Sequence, residues 1–499
     1  MNGSRRIVLV ILGAFLIVSI SFNFTFPVQL NPVEDTSWVN DAIQSVSTSD
    51  DIINNTILWE EECSSVIVTG SAAKDGRAIL MKNRDWADSR KNRPVYIPAT
   101  SGTYAFVGIM TNAMGINEKG LAVMNTAMPA LETEPGYGNL LLNQKILEGY
   151  ESVESVATAL QDTSSDIGPV NRASLGGIAT CVGVVDRFGE GAFFEISNTE
   201  AYVQYIVDGY DTRANHPRIF PGLASGPSGR DQYLLDALDA IYVENGIISW
   251  EDVMQGASRY VRNKELGSAC FSIDYEVCNP NTVSAMVAVS GDARYDGKLN
   301  IMWGAYGYTP LVSVFVPSMA FAGVPPDSTS DIWSYTADKY ESAQVVSETV
   351  SLDPNRVRQV QEYAFFAEEY TIGEYDRLMS SVPTGLSDFQ IQTTLNEFIA
   401  RIDDYSAEVF GEESFTIEVP ESISFPTPTI STTTSTSTIV TTTTTTSVTD
   451  TSTSITSTFT TKPTTSSLEN NPDSSLFVGL SIGGALSIIA VLIFLKRNQ

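Results

Sequence analysis

The chain has 499 residues and a formal net charge of −30, with its charged residues spread over the body and not gathered in one block. So acidic a surface disfavours nucleic acid, anionic membrane surfaces and polyanionic substrates. One histidine and four cysteines exclude a multi-histidine zinc centre, offer no metal-ligand spacing and are too few for a disulfide scaffold. No metal and no cofactor is expected.

In chain order, Arg5-Arg6 precedes an uncharged apolar run over 7–20, so 1–26 reads as a signal peptide or an N-terminal anchor. A polar, acidic stretch follows as far as Glu62. Cys63 then opens the strand-like run Ser64-Ser65-Val66-Ile67-Val68. The turn Lys74-Asp75-Gly76-Arg77 leads into a returning run, Ala78-Ile79-Leu80-Met81, that ends in Lys82-Asn83-Arg84-Asp85-Trp86. This hairpin brings the Cys63 thiol and the Asp85 carboxylate close together. Taken alone, a free cysteine is more commonly a small apolar residue filling a strand.

Further strands are expected over 105–110, 120–124, 177–185, 191–196, 201–207, 283–289, 299–303 and 311–316, where short apolar or alternating runs are broken by Gly, Asn, Asp and Pro. Helical periods fall between them at 139–149, 153–160, 231–243 and 250–263. Hairpins alternating with helix pairs predict stacked antiparallel sheets with helices on their outer faces, an α+β fold. Cys181 lies in an apolar strand and reads as core. Cys270 and Cys278 are close enough in sequence to bridge, but spacing alone does not decide that.

Beyond Pro326 the strand signal ends, and 353–381 and 387–410 carry helical periodicity, giving a C-terminal helical extension over 326–425. Residues 426–475 are dominated by Thr and Ser and read as an extended stalk. Residues 476–495 are uncharged and closed by Lys496-Arg497. At about 1.5 Å per residue they span about 30 Å, one bilayer thickness. The expected topology is a single C-terminal transmembrane helix at the cell membrane, basic end inside and head outside. Oligomeric state is not legible.

With His216 the only histidine, a Cys–His mechanism has one possible base. A cysteine at a new N-terminus has another, because its own α-amine, with a pKa near 8, can take the thiol proton.

The opening Cys63-Ser64-Ser65-Val66-Ile67, then Asp75-Gly76, then Asn83-Arg84-Asp85-Trp86 resembles the start of the N-terminal-nucleophile (Ntn) cysteine hydrolases. The similar group is that of isopenicillin N acyltransferase (peptidase family C45), the choloylglycine hydrolases and acid-ceramidase-like amidases. Gly115-Ile116-Asn117-Glu118-Lys119-Gly120 with 121–125, Arg213-Ala214-Asn215-His216-Pro217, and Ser228 with Arg230 continue the pattern in order as far as about Pro317.

The resemblance implies a four-layer αββα sandwich over 63–325, a propeptide over 27–62 removed by autocatalytic cleavage at Glu62–Cys63, and attack by Cys63 on a linear amide to give a thioester. It implies Asp85 beside the amine and thiol, Asn215 as oxyanion donor, Arg230 holding the nucleophile region or a substrate carboxylate, and Asn125, Arg84 and Trp86 toward the substrate. The implied partner is a small acyl amide or small peptide. His216 occupies a position that is not itself catalytic in relatives. Several relatives carry Arg where Lys82 stands, and here the Arg is Arg84, adjacent to Asp85. A C69-like dipeptidase and a surface binding protein that has lost catalysis are the rival readings.

Overall fold

The computed structural model describes residues 63–85, 92–109, 113–131, 138–227, 229–260, 277–278, 282–323, 329–345 and 351–428. The expected signal segment, propeptide, most of the stalk and the apolar run 476–495 lie outside the described residues, as do Trp86, Ser228 and Cys270. Among the described residues, no helix is long and apolar enough to cross a membrane.

Two antiparallel sheets form the body. The first has the order β10-β1-β2-β11-β12-β13, from β1 (Ser64–Val68), β2 (Ile79–Asp85), β10 (Tyr210–Arg213), β11 (Thr282–Val289), β12 (Ile301–Tyr306) and β13 (Val316–Ser318). The second runs in simple succession: β3 (Pro94–Ile97), β4 (Phe106–Ile109), β5 (Met114–Asn117), β6 (Ala122–Ala127), β7 (Ala179–Val185), β8 (Gly191–Ser197) and β9 (Ala201–Ile206).

Strand periodicity decides which side chains meet. Ile67 and Leu80 of the first sheet share a buried cluster with Val107, Met124, Cys181 and Phe193 of the second, so the sheets pack face to face. Val66, Val68, Ile79 and Met81, on the opposite face, pack under α3 (Arg230–Asn245), α5 (Pro354–Ser380) and α6 (Asp388–Glu412) through Leu234, Tyr375, Leu378 and Phe398. The outer face of the second sheet is covered by α1 (Gly138–Gly149) and α2 (Val153–Gln161), through Leu142, Ile146, Val156 and Leu160. The layers are therefore helix, sheet, sheet, helix, as the alternation of hairpins and helix pairs predicts.

The late helices are part of this sandwich. In α5, Val357, Val360, Ala364, Ala367, Thr371, Tyr375 and Leu378 recur every three or four residues and are all buried. The helix starts at Asp353, whose carboxylate accepts the Asn355 N–H at 2.9 Å, with Pro354 in the first turn where its missing N–H costs nothing. Its buried Glu368 holds Arg259 by two bonds, 2.6 Å and 3.0 Å. Arg259 in turn donates to Pro310 O and Ser313 O, which ties α5 to the approach of β13.

The helix expected over 250–263 contains a wider turn. Residues Asp252–Ala257 are π-helical, with the Ser258 N–H reaching back to Val253 O. Trp250 stacks on Trp303 before this turn, and after it Ser258 O accepts from Asn83 of β2 while Arg259 reaches Pro310 O.

Candidate active site

Cys63 is 2% exposed and directly precedes β1. That strand lies between β2 and β10, with Ser64 opposite Asn83 and Ser65 opposite Arg213. Continuing each register to Cys63 puts it level with Arg84 on one side and with Asn215, just beyond β10, on the other. The hairpin and the crossover that returns as β10 thus place Asp85 and Asn215 at one end of the first sheet, beside the cysteine.

Three of the implied residues form one connected chain. Asp85 Oδ2 accepts from Arg230 Nη1 at 2.6 Å, and Asp85 Oδ1 accepts from Thr282 Oγ1 at 2.6 Å. Arg230 Nη2 donates to Asn215 Oδ1 at 3.3 Å, and Asn215 Nδ2 donates to Ala127 O at 2.8 Å. Partners on both ends fix which way the Asn215 amide points, and Nδ2 carries a second hydrogen beyond the one given to Ala127. Arg230 and Asp85 are 6% and 5% exposed at their side chains, so this is a buried charge pair.

The strand ends around Cys63 are pinned from the helix side. Asn83 Nδ2 donates to Ser258 O at 2.7 Å and to Val277 O at 2.9 Å, and Ser64 Oγ donates to the same Val277 carbonyl.

Three implied residues stand outside that chain. Asn125 Oδ1 accepts from Lys82 Nζ at 3.2 Å, and Lys82 also donates to Ala113 O, so this lysine bridges the two sheets. Arg84 Nη1 donates to Asn92 Oδ1 at 2.5 Å, and Ser284 Oγ donates to the same oxygen. Trp86 is not among the described residues. His216 sits on the far side of the Asn215 segment, with Nε2 3.3 Å from the buried Asp231 carboxylate, which Arg218 also contacts at 3.0 Å.

Two other described cysteines are core thiols. Desolvation pushes Cys181 far up from the ordinary thiol range, and Cys278, against Thr309 Oγ1, is pushed up to about 12 by the same cause. Both are free thiols held neutral in core positions and cannot serve as nucleophiles near neutral pH. Among the described residues, no group of His, Cys, Asp and Glu is placed to hold a metal ion.

Thr282 and Asn92 escaped the sequence reading. Thr282 opens a strand of otherwise small and apolar residues, and its inward hydroxyl was the available signal. Asn92 follows a stretch without periodicity and gave none.

Residues 71–232 match the family model for acyl-coenzyme A:6-aminopenicillanic acid acyl-transferase. The match takes in Asp85, Asn125, Asn215 and Arg230 and begins eight residues after Cys63. No curated protein matches the chain. Two solved structures of the conjugated bile acid hydrolase from Clostridium perfringens, both of substituted forms of that enzyme, are similar at 15% and 16% identity. Each alignment covers 49% of this chain and 89% of the hydrolase, with a TM-score of 0.32. Penicillin V acylase from Agrobacterium tumefaciens is similar at 12% identity over 52% of this chain and 86% of the acylase, with a TM-score of 0.28. The likeness rests on the sequence match: residues 71–232 are similar to this acyl-transferase family.

Proposed function

We propose that the protein is an amidohydrolase or acyltransferase in which Cys63, freed at its α-amine by cleavage of the Glu62–Cys63 bond, attacks a small acyl amide or small peptide. The α-amine takes the thiol proton as Sγ adds to the carbonyl. The tetrahedral oxyanion is held by the second Asn215 amide hydrogen, a type of contact worth about 3–4 kcal/mol in the transition state. The C–N bond then breaks, the proton passes to the leaving amine, and the acyl group remains on sulfur until water or another amine removes it.

The observation that carries this reading is the buried chain from Thr282 through Asp85 and Arg230 to Asn215, at the strand ends that flank Cys63. Arg230 fixes the Asn215 oxygen, and so turns its amide hydrogens toward acceptors; Asp85 balances the guanidinium. In this reading, Arg84 and Asn125 face the substrate side.

We also propose that the head is tethered outside the cell by 476–495 through the Thr/Ser-rich stalk. Support comes from the uncharged length of that run and its basic end. Protease treatment of intact cells should release the head.

N-terminal sequencing of the mature protein and titration with a thiol-directed acylating probe test the chemistry together. The expected result is a chain beginning at Cys63, labelled there, and inert once Cys63→Ala is made. An intact chain through Cys63 with no labelling at that residue refutes the mechanism. A panel of penicillin V, a glycine-conjugated bile acid, N-acyl amino acids and dipeptides then separates acyl-amide cleavage from dipeptidase activity. Turnover lost in Cys63→Ala excludes a pure binding role.

A further inference from the structure

Asn215 lies on the segment that leaves β10, and that segment is held by two buried carboxylates, neither of them in the site. Glu195 sits in β8 of the second sheet, two residues from Phe193 and on its inward face, fully buried. Its Oε1 accepts the Arg218 backbone N–H at 2.6 Å. Its Oε2 accepts those of Ile219 at 3.0 Å and Phe220 at 2.7 Å. Arg213, also fully buried, stands beside it with Nε 3.6 Å from Oε1. A carboxylate from one sheet thus grips three successive backbone donors of a segment that begins in the other.

Asp231, fully buried in the first turn of α3, is the second anchor. It contacts Arg218 and His216, and its backbone oxygen accepts from Thr212 Oγ1 at 2.9 Å. Asn215 sits between the gripped positions, and Arg230, its hydrogen-bond donor, is the residue before Asp231.

We infer that Glu195 and Asp231 are positioning residues that set Asn215 at the distance its oxyanion contact requires. This rests on the proposed role of Asn215 and goes beyond it: the specificity of the contact is built by a carboxylate in the opposite sheet. A carboxylate suits this place because both of its oxygens receive backbone donors. Glu195→Gln keeps the shape, but its –NH2 must face either the Arg218 N–H or those of Ile219 and Phe220, donor against donor.

Two reactions of the mature full-length protein separate this role from general support. Acylation by 4-nitrophenyl butyrate forms the Cys63 S–C bond through a tetrahedral oxyanion and expels nitrophenolate, read as a burst. Alkylation by iodoacetamide displaces iodide with no oxyanion at all. Glu195→Gln should slow acylation about tenfold, against the 10²–10³-fold loss for deleting an oxyanion donor outright, and leave alkylation unchanged. In an Asn215→Ala background it should cost nothing further, since both changes remove one function.

Unchanged acylation, equal losses in the two reactions, or fully additive losses with Asn215→Ala overturns the inference alone. No burst and no alkylation at Cys63 in the unaltered protein overturns the nucleophile reading, and this inference with it. Should Glu195→Gln fail to fold, Asp231→Asn is put through the same two reactions, where an absent or equal loss is likewise decisive.

Discussion

Replacing Arg230 by methionine removes the guanidinium while filling most of its space. Asp85 keeps Thr282 Oγ1 but loses the Arg230 cation at 2.6 Å, in a place where both side chains are nearly inaccessible. Removing one member of a buried pair costs about 3–5 kcal/mol, whereas an exposed pair is worth about 0–1 kcal/mol. The longer bond to Asn215 adds about 1 kcal/mol at most. With a urea slope of about 3 kcal/mol/M, the unfolding midpoint should fall by at least about 1 M. Adding Asp85→Asn should recover most of that loss, because replacing a buried pair by neutral groups is often close to neutral. Acylation of Cys63 should stay slow in the double variant, since Asn215 has still lost its donor. A loss under about 1 kcal/mol for Arg230→Met, or a double variant no more stable than the single, would show that the pair is not the buried interaction its geometry describes.

At pH 8 a thiol-directed reagent should modify the native protein at Cys63 and spare Cys181 and Cys278, which react once the chain is unfolded; peptide mapping reads this. The two buried thiols have raised folded-state values, so the stability they confer is complete below the unfolded thiol range near 8.5 and is lost as pH rises through the folded values. Above pH 9 each should steepen the alkaline loss of stability by up to about 1.4 kcal/mol per pH unit, and Cys278→Ala should flatten urea midpoints between pH 9 and 10.5 relative to the parent. Gly120→Ala should destabilise by more than about 1 kcal/mol, because φ is +79° and a methyl there collides with the Asn300 amide; thermal unfolding checks it. Ser387→Ala should cost about 1 kcal/mol by removing the capping box of α6, where Ser387 Oγ accepts from the Gln390 N–H and Gln390 Oε1 accepts from the Ser387 N–H.

The local elements were readable because their causes are local. Alternation around Val66 and Ile67 and the turn at Asp75-Gly76 define the hairpin that starts at Cys63, and helical spacing places α1, α2, α3, α5 and α6 within two residues of their observed ends. The site was readable where order along the chain carries it: Asp85 ends a returning strand, Asn215 follows β10, and Arg230 begins α3. Less legible were contacts that depend on which sheet face a residue meets. Glu195 is one polar position in an apolar strand; only the stacking of two sheets gives its carboxylate three backbone donors. Lys82 likewise finds Asn125 across the interior. The intervening helix α4 (Thr329–Ala343) is hard to read because its buried positions, Ile332, Thr336, Lys339, Tyr340 and Ala343, include a lysine and a threonine that weaken the apolar stripe.

The order of the strands has a practical corollary. β1 is bordered by β10 and β2, then β11, and its outer face is covered by α3, α5 and α6, all of them later in the chain than Cys63. These neighbours of the first strand are all encoded downstream of the nucleophile. A recombinant chain begun at Cys63 behind a removable methionine would carry them all. Such a chain would deliver the cysteine amine at translation and uncouple its chemistry from the cutting step.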